Sequence, residues 1–165
     1  MAIDFSGTNS GFYNSTNTSV LGLSTTAITK PFQPAFSAYG VTGTTQGNYV
    51  VFPSVAFDNN SNYNTSNGRF TAPVAGMYYF KYQQLANNGV AGEYRVVFYK
   101  NAAWYSGSNY ITYKTASAYW SLFASQHIYL AANDYVNVLL NQAPAAMYAG
   151  AGDTQYGQFS GYLVG

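Results

Sequence analysis

A chain of 165 residues with no cysteine, 18 tyrosines, 11 phenylalanines and only 7% charged residues is long enough for one domain with one buried core, and it excludes a disulfide framework, a thiolate metal site and a cysteine nucleophile. The formal net charge is +1, and the six bases (Lys30, Arg69, Lys81, Arg95, Lys100, Lys114) are scattered, which argues against a nucleic-acid-binding role. So little charge also gives poor protection against sticking, so the composition favours an oligomer that hides its aromatic residues.

From the N-terminus, no basic region leads into an apolar core, so no Sec-type signal peptide is expected. No apolar run reaches membrane-spanning length, so membrane insertion is not expected either. Residues 1–33 are rich in Ser, Thr, Asn and Gly, with isolated apolar residues such as Ile3, Phe12, Leu21 and Ile28 and no helical period. This composition predicts an extended or flexible N-terminal arm. Pro31 and Pro34 then mark the entry to a domain at 34–165.

Ala35–Tyr39 begins that domain, followed by a Gly/Thr loop. Tyr49–Phe57 reads as a strand, with Pro53 pushing it towards an edge or a bulge. Asn67-Gly68 signals a turn before Phe70. The aromatic run from Gly76 to Gln84 is the next strand, and Asn87-Asn88-Gly89 turns into Glu93–Tyr99. Asn101-Ala102-Ala103 turns again before Trp104, and Tyr110–Tyr113 is extended. From Tyr119 to Leu130 the period is two: Leu122, Ala124, Ile128 and Leu130 share one side, Phe123, Ser125, His127 and Tyr129 the other. Ala131 to Asp134 turns, Val136, Val138 and Leu140 face inward, and Tyr135 and Asn137 face outward. A small-residue loop (143–157) leads to the closing strand from Phe159. About ten short strands with polar turns and no helix predict an all-β jelly-roll β-sandwich.

One histidine, His127, and five acids (Asp4, Asp58, Glu93, Asp134, Asp153) offer little to acid–base chemistry. His127 lies in mid-strand with no second histidine and no nucleophile motif, so it reads as a structural or surface residue, and no enzyme is expected. The glycine-rich stretches 40–47 and 150–157 lack the lysine and the strand-to-helix context of a phosphate loop. Trp104-Tyr105-Ser106-Gly107-Ser108-Asn109-Tyr110 has the mix of rigid aromatic area and small polar neighbours found in adaptable binding surfaces. Trp104, Tyr105 and Asn109, with Tyr148 from the long loop, are the candidate ligand-binding residues.

Phe52, Asp58, Tyr63 and Phe70 fall at wide, unequal intervals that no helix period links, and Gly76, Tyr78, Phe80 and Tyr82 follow at every second position. This spacing resembles the signature of the complement C1q globular-domain family, within the tumour-necrosis-factor-like superfamily. Pro34-Ala35-Phe36-Ser37-Ala38 resembles that family's opening strand, and Phe159-Ser160-Gly161-Tyr162-Leu163 its closing strand. The resemblance implies a ten-stranded C1q/TNF-like jelly roll, assembled as a homotrimer, that recognises ligands rather than turning over substrates. It also implies structural turn roles for Asp58 and Asp134. Some relatives bind calcium near the trimer axis; here such a site would need Asp153 or Glu93 repeated by symmetry, so no cofactor is expected. No collagen tract is present. The low-charge composition suggests a phage-fibre-type virion or appendage protein whose head binds a host-surface glycan or protein. Residues 1–30 would attach it to a larger particle or stalk. The alternative is a bacterial cell-surface or spore-coat adhesin or scaffold.

Overall fold

The structure, a computed structural model, describes residues 2–4, 10–13, 19–23, 28–30, 32–40, 44–86, 90–115, 118–148 and 156–164. The chain divides into two compact units, Met1–Gln33 and Pro34–Gly165.

The first unit, read from composition as an extended or flexible arm, contains four short strands among its described residues. β1 (Ala2–Asp4), β2 (Ser10–Tyr13), β3 (Ser19–Leu23) and β4 (Ile28–Thr29) pair in sequence order as an antiparallel meander. The β-branched and apolar residues Val20, Leu21, Leu23 and Ile28 fall in its last two strands, where β-propensity favours pairing.

The second unit is all β. β5 (Ala35–Tyr39), β6 (Ser54–Asp58), β7 (Tyr63–Asn64), β8 (Arg69–Thr71), β9 (Gly76–Ala86), β10 (Gly92–Lys100), β11 (Ala103–Trp104), β12 (Tyr110–Lys114), β13 (Trp120–Leu130), β14 (Tyr135–Gln142) and β15 (Gly157–Leu163) follow in order. They form two antiparallel sheets. A five-stranded sheet runs β13-β9-β15-β5-β6, and a six-stranded sheet runs β11-β10-β14-β8-β7 with β12 added beside β10. Among the described residues this unit has eleven strands, of which β7 and β11 are two-residue pieces of hairpins, in keeping with the jelly roll of about ten strands that was expected.

The expected strand 49–57 is broken at Pro53. Before it, Gly47 and Val50 donate N–H bonds to the carbonyls of Leu140 and Val138 at 2.8 Å, so this stretch lies along β14. After it, β6 pairs with β5 in the other sheet. Proline has no N–H to give a ladder, and here it marks the point where the chain crosses between sheets.

Aromatic rings fill the space between the sheets. β9 sends Tyr78, Phe80 and Tyr82 inward, all fully buried, and its next neighbours outward. Phe36 stacks on Phe70 and Tyr63 and meets the edge of Phe159, with ring centroids 4.8, 5.1 and 5.0 Å apart. Truncating such a ring to Ala costs about 3–5 kcal/mol. Gly161 is required beneath this layer, because a Cβ there would lie 2.6 Å from the Phe80 ring.

β13 alternates as its sequence predicted, with Leu122, Ala124, Ile128 and Leu130 buried and Phe123, Ser125, His127 and Tyr129 exposed. β14 does not. Asn137 was expected to face water, but it is fully buried, and every residue from Val136 to Leu140 is buried. The outer face of this strand is covered, so period two no longer separates wet from dry positions.

Candidate binding surfaces

The Trp104 loop is held by one serine. Asn101 and Ala102 take left-handed φ angles of 50° and 62°, reversing β10 into β11 through a two-residue turn. The chain then turns through Gly107, φ 80°, to Ser108. The Ser108 hydroxyl is buried: it accepts the N–H of Phe98 at 3.1 Å and lies 2.7 Å from the Tyr105 carbonyl. Trp104 is 44% exposed and Asn109 is exposed, whereas Tyr105 is half-buried against the core. These three residues share one rigid loop that offers a Trp face and an amide to solvent.

Tyr148 lies elsewhere. Its N–H donates to the carbonyl of Leu85, near the end of β9, and its ring meets Tyr119 and Tyr156 edge-on at 5.5 and 5.4 Å. The structure therefore places Tyr148 in a tyrosine cluster at one end of the sandwich and the Trp104 loop at the other. The separation is most of the length of β10, roughly 25 Å at ~3.3 Å per residue.

A larger surface was not among the sequence candidates. The outward face of the five-stranded sheet carries Phe57, Met77, Phe123, Tyr129 and Tyr162, each at least 39% exposed. Cross-strand registers align Tyr162 with Tyr79, Tyr79 with His127, and Met77 with Tyr129. Near one edge, Ser37, Ser160 and Gly161 form the floor of a cavity of about 370 Å³ flanked by Phe57 and Tyr162. A smaller hollow of about 170 Å³ lies beside Phe123, between Tyr79, Lys81 and Tyr110. Alternation in β13 had placed Phe123 and Tyr129 on this side, and that was the signal available.

Three carboxylates, Asp58, Asp134 and Glu93, are occupied in structural contacts. Asp58 accepts the N–H groups of Asn62 at 2.9 Å and Tyr63 at 2.7 Å, closing the turn that follows β6. Asp134 accepts from the Ala131 N–H, the Asn101 amide and Lys100, and these bonds, that of Lys100 foremost, hold its carboxyl down at about 2. The hydroxyl of Tyr113, ahead of Arg95, holds Glu93 below the usual carboxylate range. His127 is exposed with its ring 5.0 Å from that of Tyr79. Among the described residues no three His, Asp or Glu side chains gather as metal ligands. Asp153 lies outside the described residues.

The sequence profile of the C1q domain matches residues 35–164. The chain belongs to the C1q domain family. Fifty-five of its residues, 33% of the chain, are 40% identical to a complement C1q subcomponent protein of Bos taurus, and the match spans 22% of that protein's length. The fold is similar to the globular domain of zebrafish complement 1qA (TM-score 0.57, 22% identity, 81% of this chain and 98% of that one). It is also similar to murine APRIL at pH 5.0 (TM-score 0.64, 13% identity, 80% of this chain and 99% of that one).

Within this C1q domain the signature residues are architectural. Phe52, Tyr63, Phe70, Tyr78, Phe80 and Tyr82 all lie in the core, and Asp58 organises the turn that delivers Tyr63 to it. The residues that could meet a ligand, Trp104 and Asn109, fall outside the signature.

Proposed function

We propose that this chain is a non-enzymatic, homotrimeric structural protein of a virion or appendage, of phage-fibre type, whose C1q-like head binds a ligand on a host surface. The observation that carries the oligomer is the aromatic outward face of the five-stranded sheet. A ring of three needs two different patches on each copy. The cavity between Phe57 and Tyr162 lies towards the β6 edge, and the protruding Phe123 and Tyr129 lie on the β13 edge. A stable contact buries roughly 800 Å² per partner, and this face gathers the exposed side chains of Phe57, Met77, Phe123, Tyr129 and Tyr162.

Support for a binding rather than catalytic role comes from the occupied carboxylates and the solitary histidine. Support for the virion setting comes from the charge-poor, Asn-, Thr-, Gly- and Tyr-rich composition and from a separate N-terminal unit suited to attachment. The Trp104 loop, rigid and exposed, is the ligand surface in this reading.

Native mass spectrometry tests the assembly: a trimer is expected, and Phe123→Asp with Tyr162→Asp should break it. A stable, soluble single chain at working concentration would overturn the trimer. Gene neighbourhood tests the setting. Tail or capsid genes are expected, whereas cell-wall or spore-coat genes would assign the protein to a bacterial surface. Glycan-array binding that disappears in Trp104→Ala, with the trimer intact, is the outcome expected for the loop.

A further inference from the structure

The outer face of the six-stranded sheet holds polar groups that the fold does not use. Asn137 is fully buried, and neither atom of its amide has a hydrogen-bond partner. The Nε of Arg69 is likewise buried and unpartnered. Register brings the two together. β14 pairs with β8 through Tyr135–Thr71 and Val136–Phe70, so the next step sets Arg69 beside Asn137. On its other side Asn137 pairs with Tyr99 of β10. Tyr49 reaches the same face by bridging Leu139, two residues along β14.

The groups around this amide converge. The Arg69 guanidinium lies 4.2 Å over the Tyr135 ring. The Tyr49 and Tyr99 rings meet edge-on at 5.7 Å. Tyr49, Tyr99, Tyr135 and Arg69 are each half-buried, open on one side to solvent. The Tyr49 phenol is raised by burial first and then by the hydroxyls of Tyr99 and Tyr135, while Arg69 opposes the rise, so all four polar ends share one electrostatic neighbourhood. Among the described residues Arg69 makes no ion pair, and Asp58, Glu93 and Asp134 are held by other partners.

An amide closed away from water with its donor and acceptor unused is costly, and such a group in a native fold calls for a partner. We infer that Arg69, Asn137 and the rings of Tyr49, Tyr99 and Tyr135 form a binding site for a carboxylated sugar. The guanidinium takes the carboxylate in its two-pronged geometry. The phenol rings offer flat apolar faces to the C–H surface of the sugar. The Asn137 amide, donor and acceptor side by side, matches a pair of neighbouring hydroxyls. Because the amide is fully buried, a sugar reaches it only if a neighbouring half-buried ring, such as that of its cross-strand partner Tyr99, turns aside. This site lies on a different sheet from the aromatic face proposed for self-association and is independent of the virion reading.

The test is an NMR titration of the isotopically labelled full chain with glucuronate, with glucose and acetate as controls. Saturable shifts are expected at the Asn137 amide and the Arg69 Nε–H with glucuronate, and binding at least tenfold weaker with glucose or acetate. Arg69→Ala should abolish them. Asn137→Leu should raise Tm, because it removes an unpaired amide, and should also abolish binding. Equal binding of acetate would leave only an anion site and overturn the sugar assignment. Unchanged titration in Arg69→Ala, or a lower Tm in Asn137→Leu with binding intact, would overturn the site.

Discussion

The hydroxyl of Tyr63 accepts the backbone N–H of Phe52 at 3.1 Å. Both are signature residues eleven positions apart, and the bond ties the crossing between sheets to the hairpin of β7 and β8. Asp58, between them in sequence, fixes the turn that brings Tyr63 into place. The wide offsets in the motif therefore trace one folded unit rather than a site. Tyr63→Phe keeps the ring stack on Phe36 but leaves the buried Phe52 N–H without its acceptor. A loss of about 1–3 kcal/mol is expected, read as a lower urea midpoint at unchanged m-value; no loss would mean the N–H finds another acceptor.

Alkali should unfold the domain in a defined window. Burial pushes the Tyr63 phenol up to about 12 from its ordinary 10.0, and it raises the fully buried Tyr82 further. A phenol whose folded value lies above its unfolded value lends stability below pH 10 that is lost as pH rises towards the folded value. Circular dichroism should therefore show stability falling between about pH 10 and 12, with tyrosinate absorbance rising in step. Tyrosinate appearing in full while the fold stays intact would contradict this.

Acid acts through Asp134. Its carboxyl is held at about 2, below the ordinary 3.8, by Lys100 first, then Asn101, then the Ala131 N–H. A depressed carboxylate lends stability above its unfolded value that is lost as pH falls through the folded one. Urea midpoints measured from pH 5 to pH 2 should decline, and Asp134→Asn should flatten that decline while lowering stability at neutral pH. An unchanged slope in the variant would move the acid sensitivity to another group.

Ser108→Ala should loosen the Trp104 loop and the strand behind it together. The substitution leaves the Phe98 N–H, buried in β10, without its side-chain acceptor. About 1–3 kcal/mol of stability should be lost, with faster hydrogen exchange at Phe98. Exchange unchanged at that amide would show that the serine is not its partner.

The turn after β10 is strained at a replaceable residue. Ala102 has φ 62°, a region where a Cβ costs roughly 1 kcal/mol. Ala102→Gly should gain about 0.5 kcal/mol once the greater freedom of the unfolded chain is counted, and Ala102→Val should lose more than that. Thermal melts of the two variants should move in opposite directions.

Legibility in the sequence followed burial. β13 has one dry face and one wet face, so Leu122 and Ile128 could be sorted from Phe123 and Tyr129 by alternation alone, whereas the aromatic run of β9 read only as a buried strand. β14 is covered on both faces, and its polar Asn137 looked like a surface residue. Pro53 was recognised as a disturbance, but which sheet each flank joins depends on partners near residue 140 and in β5, far away in the chain. The Trp104 loop was visible as a composition. That Ser108 clamps it to Phe98, and that Tyr148 packs with Tyr119 and Tyr156 instead of joining it, are tertiary contacts that no local pattern encodes.

The order of the five-stranded sheet sets a timetable for synthesis. β15 lies between β5 and β9, among the first and middle strands to emerge from the ribosome. Until the residues through Leu163 have been released, both neighbours present bare backbone edges flanked by aromatic side chains, the arrangement most open to pairing with the wrong chain. The sheet stays unfinished until β15, the last of its five strands in chain order, has been made. The yield of the chain in a cell would then depend on how well those two waiting edges are guarded.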